Sequence, residues 1–373
     1  MDPRRFSLRL VTRIETIRSA MSSRSEDIDR PLAVSFERLG IVLESDGSPS
    51  EAEGVLNPGI TRDRDGCILM YPRAVASGNV SRIGLARGTE LSGGIAFARI
   101  GFVLEPEMDY EIRLEPGGHG CEDARVTFIP LLDRYVMTYT AFGLRGPRVA
   151  IALSDDAYSW TRLGLMRFSE EALNALDNKD AAFFPDPVYS PAGVLSFAAY
   201  HRPMLPFSVN GQAPVSTILE LDAADRESMW IGYMPVEKVV ADIGALAHAV
   251  ENRKILHVGS QWGTLKNGAG TPPVRTQDGW ISIFHAVDAV GEVGHESRSY
   301  SAGIVMHDLR SPHKILYRSP QALFGPEMVE ERIGIVDDVV FPSGLDPLND
   351  GTFDIYYGAA DFKIARGRLR IVE

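Results

Sequence analysis

The sequence predicts an all-β fold: a five-bladed β-propeller with an N-terminal helical extension. Three observations predict it. Most of the chain is short strand-like runs broken by Gly, Pro, Asp and Asn. One element, a short apolar or Pro-containing segment leading through a turn into a strand that ends in aromatics, recurs five times in order. An amphipathic pattern at the start stands apart from these repeats. An irregular β-sandwich with look-alike hairpins is the competing fold, and five copies in register make it the weaker choice.

The first element is the opening pattern. Leu8, Leu10, Val11, Ile14 and Ile17 fall mostly on one face over Phe6 to Met21, which predicts a helix. A charged stretch from Ser22 to Arg30 follows as a linker, so residues 1–30 are an extension and residues 31–373 the propeller domain. The extension reads as a surface strut or a homo-oligomer contact.

The first repeat is Asn57-Pro58-Gly59-Ile60, leading through Asp65-Gly66 to Ile68-Leu69-Met70-Tyr71. The second runs from Ala124-Arg125-Val126-Thr127 to Tyr135-Val136-Met137-Thr138-Tyr139, and the third from Phe184-Pro185-Asp186-Pro187-Val188 to Gly193-Val194-Leu195-Ser196-Phe197. The fourth joins Thr271-Pro272-Pro273-Val274 to Trp280-Ile281-Ser282-Ile283-Phe284, and the last joins Val339-Val340-Phe341-Pro342 to Phe353-Asp354-Ile355-Tyr356-Tyr357. Glu170 to Asn178 and Val236 to Glu251 are rich in helix formers and are expected as helical decorations between strands.

Composition narrows the function. At 373 residues, 45% hydrophobic and 24% charged, the chain has the balance of a soluble globular protein. A net charge of −12 opposes nucleic-acid and anionic-membrane partners. No run of 18 apolar residues is present to span a bilayer. Cys67 and Cys121 have neither metal-type spacing nor a disulfide framework, and no secretory signal precedes them, so a cytoplasmic location is expected. The Asn79-Val80-Ser81 sequon then reads as chance. The eight histidines lack paired zinc-type spacing, so neither a metal nor any other cofactor is expected.

A propeller converges the inner strand of every blade on one axis, so polar residues at equivalent repeat positions meet in one pocket. Those flanking the repeats are Asn57, Arg73, Asp123, Arg125, Lys179, Asp180, His201, Arg202, Lys266, His285, Asp338 and Asp361. A carboxylate beside a basic cluster suits attack by an anion with protonation of a leaving oxygen.

Gly120-Cys121-Glu122-Asp123-Ala124-Arg125 resembles the Gly-x-Glu-Asp-Pro-Arg signature of glycoside hydrolase family 130, the mannoside phosphorylases. The resemblance continues through Asn178-Lys179-Asp180 with Phe183-Phe184-Pro185, His201-Arg202-Pro203, Gly268-Ala269-Gly270-Thr271-Pro272-Pro273, Gly279-Trp280 with Phe284-His285, Val339-Val340-Phe341-Pro342, and Tyr356-Tyr357-Gly358-Ala359-Ala360-Asp361. Seven motifs in family order cover all five repeats. Ala124 replaces the family proline, Pro72 is inserted before Arg73, Asp338 stands where asparagine is common, and Ala286 follows His285 in place of glycine. These departures bear on subgroup, and so on linkage and acceptor.

The resemblance implies an inverting phosphorylase that cleaves a β-mannosidic bond with inorganic phosphate as co-substrate, giving α-mannose 1-phosphate. Asp123 would be the proton donor, acting through a hydroxyl of the bound mannosyl unit. Arg73, Arg202, Lys266 and His285 would contact phosphate, with Arg148 a further candidate; Asn57, Arg125, Asp180, Asp338 and Asp361 would hold the sugar. Read without the family, these residues have plainer roles: blade-edge ion pairs for Arg73 and Arg202, a core histidine at His285, loop surface at Lys266, and turn caps for the aspartates. Two alternatives stay open: an inverting β-mannosidase, for which Glu330 or Glu331 is the candidate water-activating base, and a non-catalytic glycan-binding propeller.

Overall fold

The computed structural model describes residues 32–92, 94–208, 213–291 and 297–372. The expected helix over Phe6 to Met21 lies outside these residues. The regular structure of the described chain is almost entirely β-strand. It opens with β1 (Ala33–Leu43) and continues as five consecutive units, antiparallel but for a short parallel pairing in the third. The first holds β2 (Val55–Arg62), β3 (Ile68–Ala76), β4 (Val80–Leu91) and β5 (Gly94–Leu104), and the second β6 (His119–Ile129), β7 (Arg134–Gly143), β8 (Gly146–Ser154) and β9 (Thr161–Leu165). The third holds β10 (Arg167–Phe168), β11 (Asn178–Phe183), β12 (Val188–Tyr189), β13 (Leu195–Pro203), β14 (Met229–Pro235) and β15 (His248–Leu256). The fourth holds β16 (Lys266–Ala269), β17 (Val274–Arg275), β18 (Trp280–Val290), β19 (Ser297–His307) and β20 (Ile315–Arg318), and the fifth β21 (Val340–Pro347), β22 (Phe353–Ala359) and β23 (Lys363–Val372).

The middle strands read as continuous apolar runs because both their faces are covered. Every residue of β7 after Arg134 is buried, as is every residue of β22. Five apolar clusters fill the gaps between successive units. Leu69 and Ile83 meet Val126 and Met137, and Val136 and Ile151 meet Phe183 and Phe197. Phe184 and Tyr233 then meet Trp280 and Phe284, and Ile283 and Ile304 meet Ile355 and Tyr357. The fifth cluster joins the last unit to the first, through Tyr356 and Ile364 against Val55, Ile60 and Met70. Fully burying one such side chain is worth roughly 1.5–3 kcal/mol. A second closure is covalently remote: β1 pairs antiparallel with β23, Val34 opposite Ile371, so the start of the described chain completes the final unit.

Hydrogen bonding divides the strands into four sheets rather than five, because the first two units share one. The seam is short, with Val80 opposite His119 and Ser81 opposite Gly120 in parallel between β4 and β6. Gly120 opens the expected signature, and here its role is steric. Its φ is +128° and a Cβ would run into the Ser81 carbonyl, so only glycine lets β6 approach β4.

Both expected helical patches shrink. Within Glu170 to Asn178 only Glu171–Ala175 is helical, and Asn178 already begins β11. Within Val236 to Glu251 the helix spans Val236–Ala241. Asp242 then leaves helical geometry at φ −147° and caps Gly244 N at 2.9 Å, and a 3-10 turn follows. From His248 the chain is β15, paired with β14, so sheet pairing overrides local propensity there. No helix among the described residues is long and apolar enough to cross a membrane.

Candidate active site

Asn57, Asp123 and Asp180 occupy the same place in the inner strands of the first three units. Each has a left-handed backbone, with φ of +45°, +50° and +58°. At each, the ladder skips residues: between Leu56 and Gly59, between Glu122 and Arg125, and between Lys179 and Ala182. Asn and Asp are the side chains that enter this region at least cost, which is why those types stand there. A bulge of this kind breaks the inward–outward alternation and re-aims one side chain. All three point into one cavity of about 530 Å³. Asp361 reaches the same cavity from the turn after β22, where Ala360 and Asp361 are both left-handed at +47° and +49°.

Of the residues expected at the site, Asn57, Arg73, Asp123, Asp180, Arg202, Lys266, His285 and Asp361 line the cavity together. Arg125, Arg148 and Asp338 do not. Arg125 is buried behind the wall, where Nη1 donates to the carbonyl of Asp123 and Nε to that of Gly270, both at 2.5 Å. It holds the acid's own backbone rather than facing a ligand. Arg148 is committed to Asp177 at 2.5 Å. Asp338 accepts at its carbonyl from Tyr300 N at 2.9 Å, joining the fifth unit to β19.

The candidate water-activating base also falls elsewhere. Glu331 is buried off the cavity wall and accepts from Arg38 Nε at 2.9 Å, Tyr357 Oη at 2.8 Å and the amides of Glu327 and Met328. Glu111 repeats this arrangement with Arg162, Tyr139 and the amides of Glu107 and Met108. Glu51 takes Arg99 in the same way. These buried carboxylates fasten loops to strands, and Glu331 is one of the set. Glu330 does not line the cavity either.

Around Asp123, Asn57 Nδ2 donates to Oδ1 at 2.9 Å and Arg73 Nη1 lies 3.4 Å from the same oxygen. Arg73 also binds Glu122 at 2.9 Å and Ser81 Oγ at 2.9 Å. Burial pushes the Asp123 carboxyl up, but Arg73, Lys179, Arg125 and the Asn57 hydrogen bond outweigh it and hold the group below the ordinary carboxylate range. Asp361 goes the other way. Burial drives its carboxyl up to about 6, with Asp123 repelling it and Arg73 offsetting only part of the cost. Of the two carboxyls, Asp361 therefore has the higher proton affinity.

Arg202, Lys266 and His285 gather in another part of the lining. Arg202 Nε donates to Asp180 Oδ2 at 2.6 Å and Nη1 makes a short bond to Glu227 Oε2. His285 Nε2 lies 3.4 Å from the same Asp180 oxygen. Burial, aided by Arg202 and Lys266, pushes His285 down to about 3, so it is neutral and serves as a hydrogen-bonding group. Lys266 Nζ stands 5.4 Å over the Tyr300 ring. Among the described residues it makes no ion pair with a carboxylate. Gly268 makes this convergence possible, since a Cβ there would strike Asp180, Arg202 and His285 at once.

Glu122, Asn79, Tyr300 and Lys179 also line the cavity, and Glu227 backs it. Glu122 was legible as the neighbour of Asp123, and Lys179 flanked a repeat without being given a role. Tyr300 and Glu227 carry no sequence signal, because each arrives from outside the repeated motifs.

Comparison with known proteins gives the same answer along most of the chain. A 1,2-β-oligomannan phosphorylase of Thermoanaerobacter sp. (strain X514) is 28% identical over 296 residues, covering 78% of this chain and 79% of that protein. A β-1,2-mannobiose phosphorylase of the same organism is 29% identical over 292 residues, 76% of each chain. The solved structure of β-1,2-mannobiose phosphorylase from Listeria innocua, bound to β-1,2-mannobiose, shares the fold with a TM-score of 0.57 at 22% identity, covering 92% of each chain. The family model for β-1,4-mannooligosaccharide phosphorylase matches residues 24–208 and 244–373, and the chain belongs to glycoside hydrolase family 130.

Proposed function

We propose that the protein is an inverting phosphorylase that cleaves a β-mannosidic bond with inorganic phosphate and releases α-mannose 1-phosphate. We propose too that its five units are the blades of a propeller. In support of the architecture, apolar clusters lie between all successive units and between the last and the first. In support of the activity, one observation carries most weight: Arg202, Lys266 and His285 share a cavity with the buried Asp123. Phosphate arrives as an anion and needs cations and donors rather than a general base. Lys266, with no carboxylate partner among the described residues, is the group readiest to take it.

In the proposed step a phosphate oxygen attacks the anomeric carbon on the face opposite the leaving group, and the bond to the acceptor oxygen breaks. That oxygen takes a proton delivered from Asp123, through a mannosyl hydroxyl. In net balance the P–OH proton of hydrogen phosphate ends on the released alcohol. The low proton affinity of the Asp123 carboxyl fits an acid that takes up its proton on binding. A phosphate dianion engages the cations that otherwise keep Asp123 ionised, and its own charge raises the proton affinity of nearby carboxylates. The relatives matching three-quarters of the chain favour a β-1,2 linkage.

A second reading has one observation in its favour. Asp361, with its carboxyl near 6, has the proton affinity of a water-activating base, as an inverting mannosidase requires. The test is incubation with β-1,2- and β-1,4-mannobiose, with and without phosphate, reading products by chromatography. α-Mannose 1-phosphate formed only in phosphate supports phosphorolysis. Free mannose released equally fast in phosphate-free buffer would replace it with hydrolysis.

A further inference from the structure

We propose that Glu227 sets the phosphate affinity of the site: it is a positioning residue that orients Arg202 and, through its charge, moderates the attraction of Arg202 and Lys266 for an anion. This rests on the phosphorylase reading. Glu227 lies in residues 209–243, the stretch that the family model leaves unmatched, yet its carboxylate binds Arg202, which lines the candidate anion site. The carboxylate is buried, with 4% of the residue exposed. Its Oε2 receives Arg202 Nη1 in a short bond, while Oε1 accepts from Leu205 N at 3.2 Å and Ser208 Oγ at 3.3 Å. Its main-chain carbonyl accepts from Asn267 N at 3.2 Å, next to Lys266. One residue thus ties together the end of β13, which carries Arg202, and β16, which carries Lys266.

The charge arithmetic follows from these contacts. Arg202 is one guanidinium between two buried carboxylates, Asp180 and Glu227. Lys266 and Lys179, which line the same cavity, have no ion pair with a carboxylate among the described residues. Arg202 and Lys266 together carry two positive charges, Asp180 and Glu227 offset both, and Glu227 supplies one of the two negative charges an incoming phosphate meets. Asp180 belongs to the repeated inner-strand positions; Glu227 does not, and comes from a segment outside the family match.

Glu227→Gln separates charge from geometry, because the amide oxygen still accepts from Arg202 while the negative charge is gone. The measurement is phosphate binding to the full chain by titration calorimetry, without sugar, with the KM for phosphate measured alongside. The variant is expected to bind phosphate about ten-fold more tightly, as removal of a nearby like charge in a poorly solvated site predicts. The KM for phosphate should fall in step while kcat changes less. A purely structural brace would leave affinity unchanged or weaken it, and either result overturns the inference. Should the Gln protein fail to fold, Glu227→Asn carries the same expectation. If the wild-type protein binds no phosphate, the phosphorylase reading fails and this inference with it. Binding that is intact but indifferent to Glu227 overturns this inference alone.

Discussion

Asn57 donates its side-chain amide to Asp123 Oδ1 at 2.9 Å, joining two residues that are both left-handed and both sit at bulges in neighbouring inner strands. Neither geometry is independent of the other. The bulge in β2 turns Asn57 into the cavity, the bulge in β6 turns Asp123 to meet it, and Arg73 closes the arrangement from β3. Four predictions follow from this site and from the carboxylates around it.

Asp123→Asn keeps the shape of the carboxylate and a partner for Asn57 but removes the transferable proton. Turnover should fall by about 100-fold or more, the usual scale of general-acid catalysis, while phosphate affinity changes little. Steady-state kinetics with phosphate as the varied substrate checks both numbers together.

Arg202→Ala and Lys266→Ala each remove a charge-assisted contact worth about 1.5–3 kcal/mol. The KM for phosphate should rise about ten-fold or more in either variant. Arg148→Ala should leave that KM unchanged, because Arg148 is already paired with Asp177 and lies off the cavity wall.

The Asp361 carboxyl is raised from 3.8 to about 6 in the folded protein, so folding favours its protonated form. Its contribution to stability is complete below pH 3.8 and is lost as pH rises through 6. Asp361→Asn does not titrate. The variant should match wild type near pH 4 and exceed it at pH 7 by on the order of 3 kcal/mol, read from denaturant unfolding at the two pH values. Equal differences at both would mean that the carboxyl is not shifted.

Glu331→Ala removes the acceptor shared by Arg38 and Tyr357 and leaves buried donors unpaired. Stability should drop by about 3–5 kcal/mol, while kcat per folded molecule at low temperature stays close to wild type. A variant that folds normally but does not turn over would restore Glu331 as a catalytic candidate.

The sequence by itself determined the strands, their order and most of the site. Short strand-like runs, turn residues and five aromatic-ended repeats are local properties, and local sterics read them the same way in the peptide and in the protein. Asn57, Asp123 and Asp180 were legible for the same reason: equivalent places in a repeat converge wherever the repeats pack alike. Tertiary structure decided what depends on which distant groups meet. His248 to Glu251 end a stretch rich in helix formers, yet they became strand because β14 offered a pairing edge. Arg125 and Asp123 are two residues apart, yet one faces the cavity and the other lies behind its wall, since the bulge between them reverses the alternation. Glu331 looked like a spare carboxylate until Arg38, which is 293 residues away, proved to be its partner. Glu227 had no motif to announce it. Burial, charge balance and hydrogen-bond satisfaction are sums over neighbours in space, and only the folded chain supplies those neighbours.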